Sequence, residues 1–218
     1  MDARTRARRK FIVGALRLSD GLVAGRQSPA NYEFHIATKL AAKWTDRGIL
    51  INTMNIRLRR SSEGDLDFVL SAEQSAENRS FVTVWTREQH LRALTSEDLS
   101  HLIIESTADR NRVGYIILAG LADANLSIEF RRIVVTEKGK GYGKEALRLA
   151  KKLAFEELKA HRLWLDVKEH NVRARHLYES EGFVAEGVLR ECIKADVGFE
   201  SLVVMSMLSA EYHDAQQQ

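Results

Sequence analysis

A chain of 218 residues, 44% hydrophobic and 29% charged, has the size and composition of one α/β domain with some additional sequence. It has no apolar run of about 18 residues, so no membrane span is expected; its one cysteine, Cys192, excludes an internal disulfide framework and agrees with a reducing, cytoplasmic setting. The formal charge of +3 is uneven: residues 1–53 carry ten Lys/Arg against four Asp/Glu and the remainder 23 against 26, a mildly acidic body that argues against a nucleic-acid-binding core.

In chain order, residues 1–53 read as a basic N-terminal extension. It opens with Arg4, Arg6, Arg8, Arg9 and Lys10, passes a short apolar run at 11–16, and holds the only proline, Pro29. The run is short for a signal-peptide core and no small-residue cleavage site follows it. An Arg-rich arm could contact RNA or the ribosome. The favoured alternative is translation starting at Met54, because Met54-Asn-Ile-Arg-Leu-Arg begins a strand directly. The expected domain runs from 54 to 218.

Within it, 56–59 is a short strand and Leu66, Phe68, Val69 and Leu70 begin a first helix. Residues 78–85 connect to a second helix at 87–94. Strands follow at 99–107 and 112–121, joined by a polar turn at 108–111. A further short link, 122–125, leads to a strand rich in β-branched and aromatic residues: Ile128, Phe130, Ile133, Val134 and Val135. Links this short require antiparallel neighbours.

After that strand, Gly139, Gly141 and Gly143 stand at alternate positions, and Ala146, Leu147, Leu149, Ala150, Leu153, Ala154 and Leu158 recur at helical spacing. Lys144, Lys151, Lys152, Glu156 and Glu157 fall largely on the opposite face. A glycine turn that opens a helix offers unpaired amides and the positive end of the helix dipole, which together cradle a phosphate. A nucleotide-triphosphate loop is excluded: Gly139 and Gly143 are too close, and Glu145 stands where a magnesium-binding hydroxyl is needed. The dinucleotide pattern G-x-G-x-x-[GA] is met by Gly141, Gly143 and Ala146, but the antiparallel links upstream leave no room for its crossover helices.

Beyond the helix, 161–167 alternates as a strand, and 171–182 is a helix that Gly182 ends. Strands at 183–193 and 199–207 close the domain, and the polar tail at 213–218 is expected to fray. Two stretches carry a resemblance. Lys138-Gly-Lys-Gly-Tyr-Gly143 is similar to the [QR]-x-x-G-x-[GA] pyrophosphate loop of the GNAT superfamily of N-acetyltransferases, with Lys138 replacing Gln or Arg. Asn171, Ala174, Tyr178, Gly182 and Phe183 match the superfamily's N-x-x-A-x-x-x-Y-x-x-x-G-F segment. The run from Glu129 to Leu147 looks most like the RimJ/RimL-type branch, whose members acetylate protein N-termini, amino acids or polyamines.

The resemblance implies an α/β fold of the α+β kind. Its mixed, mainly antiparallel sheet is flanked by helices, and a splayed strand pair holds acetyl-CoA as co-substrate. It implies direct attack of a primary amine on the thioester, the acceptor being a small-molecule amine or a peptide N-terminus. Ile133, Val134 and Val135 would pair with pantetheine, with a strand amide near Val134 stabilising the thioester oxygen. Gly139, Lys140, Gly141, Tyr142, Gly143 and Lys144 would hold the pyrophosphate, Lys138 would add charge, and Asn171 would contact CoA. Read locally, Asn171 is also a helix N-cap.

Tyr178 is the expected general acid for the departing thiolate. Glu129 is the candidate base, taken to share one strand face with Arg131, Ile133 and Val135; a structural carboxylate paired with a nearby arginine would look the same in sequence. Trp85 and His90 fall in the region expected to shape the acceptor pocket. The seven histidines form no metal-ligating set, so no metal is expected. A homodimer is an expectation of such folds, and the competing reading is a non-catalytic acyl-CoA-binding module.

Overall fold

Near-continuous apolar runs, covered from both sides, produce a sheet whose middle strands are buried almost throughout. The computed structural model describes residues 49–217, so residues 1–48 of the basic extension, with the run at 11–16 and Pro29, lie outside the described part. Eight strands form one sheet: β1 (Ile49–Asn52), β2 (Ile56–Arg60), β3 (Leu99–Ser106), β4 (Arg112–Ala119), β5 (Ser127–Val135), β6 (Arg162–Lys168), β7 (Val184–Lys194) and β8 (Phe199–Leu208). Their order is β1-β2-β3-β4-β5-β6-β8-β7. Every neighbouring pair is antiparallel except β5 and β6. Among the described residues, no helix is long and apolar enough to cross a membrane.

Among the described residues the α-helices are α1 (Leu66–Gln74), α2 (Arg87–Thr95), α3 (Tyr142–Lys152), α4 (Val172–Ser180) and α5 (Ser209–Ala215). They lie over two cores. Leu102, Ile104, Ile116 and Leu118 of β3 and β4 meet Ala146, Leu147, Ala150 and Leu153 on one face. The intervening Ile103, Tyr115 and Ile117 meet Val69 and Ala72 of α1 on the other. This period of two is what a strand buried on both faces requires.

Four details differ from the sequence expectation. The sheet begins at Ile49, so β1 belongs to it although the boundary at 53/54 left those residues in the extension. Residues 213–215 continue α5 rather than fraying, and Tyr212 anchors that helix against Phe155. Helix α3 passes into a π-helical turn, Leu153–Glu157, before Leu158. Lys151, placed on the solvent face by periodicity, is buried and ion-paired with Glu181 at 2.9 Å.

A fifth difference matters for the site. Leu118 pairs with Phe130 and Ile117 with Arg132, so Arg131 has no partner across the ladder and forms a β-bulge. The bulge inverts the register. Ile128, Phe130, Ile133 and Val135 share the α3 face, whereas Glu129, opposite Ala119, lies with Arg132 and Val134 on the α1 face. Glu129 therefore does not share a face with Ile133 and Val135, because a strict two-residue repeat cannot see an inserted residue.

Candidate active site

Strands β5 and β6 pair only at Ser127–Arg162, Ile128–Leu163 and Glu129–Trp164. Beyond Glu129 they diverge, and a cavity of about 500 Å³ opens between them. Phe130 to Ile133 and Val135 line it on the β5 side, Asp166, Val167 and Lys168 on the β6 side. The glycine turn and α3 close one end, α4 covers one face, and the segment 77–83 between α1 and α2 covers the other.

The glycine turn is built by backbone geometry. Gly141 caps α3 at φ 81°, in the left-handed region that glycine enters freely, and its carbonyl accepts the first helical bonds from Lys144 and Glu145. The leading amides of α3 therefore have no helical acceptor. Glu145, in that first turn, complements the dipole and accepts bonds from the Thr53 hydroxyl and from Asn55 Nδ2 (2.7 Å), tying α3 to the β1–β2 turn.

Gly139, Gly141, Tyr142, Gly143, Lys144, Lys138, Asn171, Ile133 and Val135 all line the cavity, as expected. Val134 does not; its side chain packs into the opposite core against Tyr115 and Ile117. Lys140 does not line it either, and pairs on the exposed turn with Glu137 at 2.5 Å. Lys138 Nζ donates to Asn78 Oδ1 at 2.6 Å, and burial lowers its pKa below the usual lysine value. It thus links the glycine turn to the segment after α1.

Asn171 caps α4 by accepting from Ala174 N at 3.2 Å. The other end is latched by Glu181, which accepts from Arg148 and from Lys151 at 2.9 Å. Burial alone would raise the Glu181 pKa, but these partners hold it below the ordinary value. At Gly182, φ 89° turns the chain, and a Cβ there would come within 2.8 Å of Met207. This fixed helix directs Tyr178 into the cavity. Burial, reinforced by the charge of Asp166, keeps the phenol protonated well above its ordinary pKa. A neutral phenol beside a thioester site can donate a proton.

Glu129 is buried, accepts from Arg131 at 2.9 Å, and is not among the groups lining the cavity. Asp166, which sequence reasoning left unassigned, does line it. Leu163, Leu165 and Val167 join the α3-side core, so Asp166 and Lys168 alternate onto the face of the 77–83 segment. Strand alternation held the signal for Asp166, but only the splay exposes it to a cavity. Neither Trp85 nor His90 lines the cavity; Trp85 packs against the same core cluster as the lining residue Val82, and the His90 ring lies 5.3 Å from that of Trp85.

A splayed parallel pair, a glycine-capped helix N-terminus at one end of the cavity and a buried phenol in its lining form an arrangement suited to acyl transfer from a phosphate-bearing donor. The chain belongs to the GNAT acetyltransferase family, whose domain matches residues 55–184, and is an acetyl-CoA-dependent N-acetyltransferase. It is 29% identical to a spermidine N(1)-acetyltransferase of Vibrio cholerae over 167 residues, 72% of this chain and 95% of that protein. The Escherichia coli K12 spermidine N(1)-acetyltransferase is 25% identical over 167 residues, 72% of this chain and 88% of the relative. The crystal structure of the Vibrio cholerae spermidine N-acetyltransferase in complex with CoA and spermine matches the fold. Its TM-score is 0.67 at 24% identity, covering 74% of this chain and 99% of that one. Polyamines are one of the acceptor classes expected of the RimJ/RimL-type branch, and these spermidine acetyltransferase relatives support the GNAT family without singling out that branch.

Proposed function

We propose that this enzyme transfers the acetyl group of acetyl-CoA to a primary amine of a polyamine of the spermidine class. The observation that carries the reading is the cavity itself, which passes through the sheet at the splay. One face presents the glycine turn, α3 and α4, and the other presents Asp166, Glu77 and the 77–83 segment. The pyrophosphate would sit on the amides of α3, with the pantetheine arm along Ile133 and Val135. The amine would enter from the opposite face, where Asp166 and Glu77 suit an ammonium and the lining Arg131, Arg132 and Lys168 are each paired with a carboxylate, Glu129, Glu73 and Glu200 in turn. The spermidine acetyltransferase relatives support the same acceptor class.

In the reaction, the ammonium first loses a proton, having a pKa near 10 in water. Asp166 is better placed than Glu129 to take it, since Glu129 stands behind Arg131. The free amine attacks the thioester carbon, the N–C bond forms and the C–S bond breaks. Tyr178 delivers its proton to the leaving thiolate, the new amide nitrogen sheds its surplus proton to solvent, and Tyr178 regains one from solvent as CoA departs and Asp166 releases its own.

Thiol release from acetyl-CoA, measured against spermidine, spermine, single amino acids, an aminoglycoside and short peptides, tests the acceptor class. Turnover confined to the polyamines is the expected result. Preference for peptides or amino acids would overturn the polyamine reading. Thermal stabilisation by CoA with no turnover on any amine would point to the non-catalytic module instead.

A further inference from the structure

Behind the 77–83 wall lies a buried polar cluster that the transfer chemistry leaves unused. Glu73, on α1, is fully buried and accepts from Trp85 N at 2.8 Å, from the Tyr115 hydroxyl and from Arg132. His90 Nε2 approaches the same carboxylate to 3.3 Å. His90 Nδ1 lies 3.1 Å from His101 Nε2, and His101 Nδ1 lies 2.7 Å from Ser61 Oγ. Ser61, His101, His90 and Glu73 thus form one continuous polar chain, in which the donor and acceptor roles of the two imidazoles follow their tautomers. Burial pushes the His101 imidazole down to about 3. Burial alone would raise Glu73, but His90, Arg132 and Tyr115 hold it ionised.

The cluster reaches the cavity through Arg132. One guanidinium nitrogen meets Glu73, another donates to Thr83 O at 2.7 Å, and the plane lies 4.4 Å over the Trp85 ring. Together Glu73 and Arg132 fix the backbone at both Thr83 and Trp85, a stretch without regular secondary structure. The segment's outer half is held separately, by Lys138 on Asn78 and by Lys168 on Ser80 O at 2.8 Å.

We propose that Glu73 and Arg132 form a positioning pair that sets the amine-binding wall and neutralises the arginine charge beside it. The pair acts through Thr83 and Trp85 and touches neither thioester nor phosphate. The proposal rests on the reading that the amine enters from this face. Arginine suits the position because one planar group can serve a carboxylate, a carbonyl and an aromatic ring together; lysine cannot. Without the Glu73 charge, Arg132 would repel a cationic acceptor from the cavity lining.

The test uses the full chain with Glu73→Gln, Arg132→Lys and the charge-neutral double variant Glu73→Gln/Arg132→Gln, with spermidine as acceptor. KM for spermidine is expected to rise at least tenfold in each single variant, with KM for acetyl-CoA within about twofold of wild type. The double variant, lacking the uncompensated cation, should recover part of the spermidine affinity. Amide hydrogen exchange in a peptide spanning 78–86 should speed up in the single variants, with α3 and β4 peptides unchanged. A merely structural role would instead weaken both substrates in parallel or accelerate exchange throughout. Either pattern, or wild-type exchange at 78–86, overturns the proposal. If Glu73→Gln fails to fold, Arg132→Lys carries the same comparison. If wild type acetylates no amine, the acceptor reading fails on its own account, and exchange at 78–86 still decides whether the pair holds the wall.

Discussion

The two faces of the splay are built on different principles. The face proposed for the cofactor is local: a glycine turn, a helix N-terminus and a capped helix, each written within a dozen residues. The face proposed for the acceptor is assembled from distance. Glu73, His90, His101, Tyr115 and Arg132 come from α1, α2, β3, β4 and β5 and meet only after folding. Backbone amides can hold a phosphate whatever the neighbouring side chains are, whereas an acceptor wall depends on side chains being brought together.

The carboxylates on the acceptor side give the sharpest way to break that contrast. Asp166→Asn should lower kcat about 100-fold with acetyl-CoA binding retained, in keeping with general-base catalysis. Glu129→Gln should lower it less than tenfold. The reverse order, read from initial rates at saturating acetyl-CoA, would return the base to Glu129 and require Arg131 to move aside.

On the cofactor face, Gly141→Val forces a β-branched residue into a left-handed backbone conformation at φ 81°. At about 1–2 kcal/mol of strain, CoA affinity measured by calorimetry should fall roughly tenfold. Unchanged affinity would mean that the turn does not carry the pyrophosphate.

The smallest effect concerns stability. His101 is depressed in the fold from 6.5 to about 3, so the unfolded chain binds the extra proton between those values. Stability from this group is full above about pH 6.5 and declines as pH falls toward 3. The Tm of wild type should therefore drop from pH 6.5 to 5, above the range where carboxylates titrate, and His101→Gln should flatten that slope. An equal slope in the variant would remove His101 from the account.

How much of this was legible follows from the same contrast. The glycine turn, the Asn171 cap and the Gly182 stop were readable because each is a short-range pattern with a backbone reason, whereas Tyr178, which lines the cavity, came from the resemblance to the superfamily segment. The antiparallel links at 108–111 and 122–125 excluded the dinucleotide fold for the same reason. Glu129 was misplaced by one register step because the bulge at Arg131 leaves no mark in a period-two pattern. Asp166 reads as an ordinary outward strand residue until β5 and β6 separate. Glu73 is one acidic residue in a helix whose other carboxylate, Asp67, is exposed, and its burial depends on donors from Trp85, Tyr115 and Arg132, all outside that helix.

The most direct test of the account is thiol release from acetyl-CoA with spermidine, comparing wild type with Tyr178→Phe while CoA binding is measured in parallel. Removing the phenol proton should lower kcat about 100-fold and leave CoA affinity within about twofold. Equal turnover by both proteins at equal CoA occupancy would contradict the assignment of Tyr178 as the acid in the transfer step.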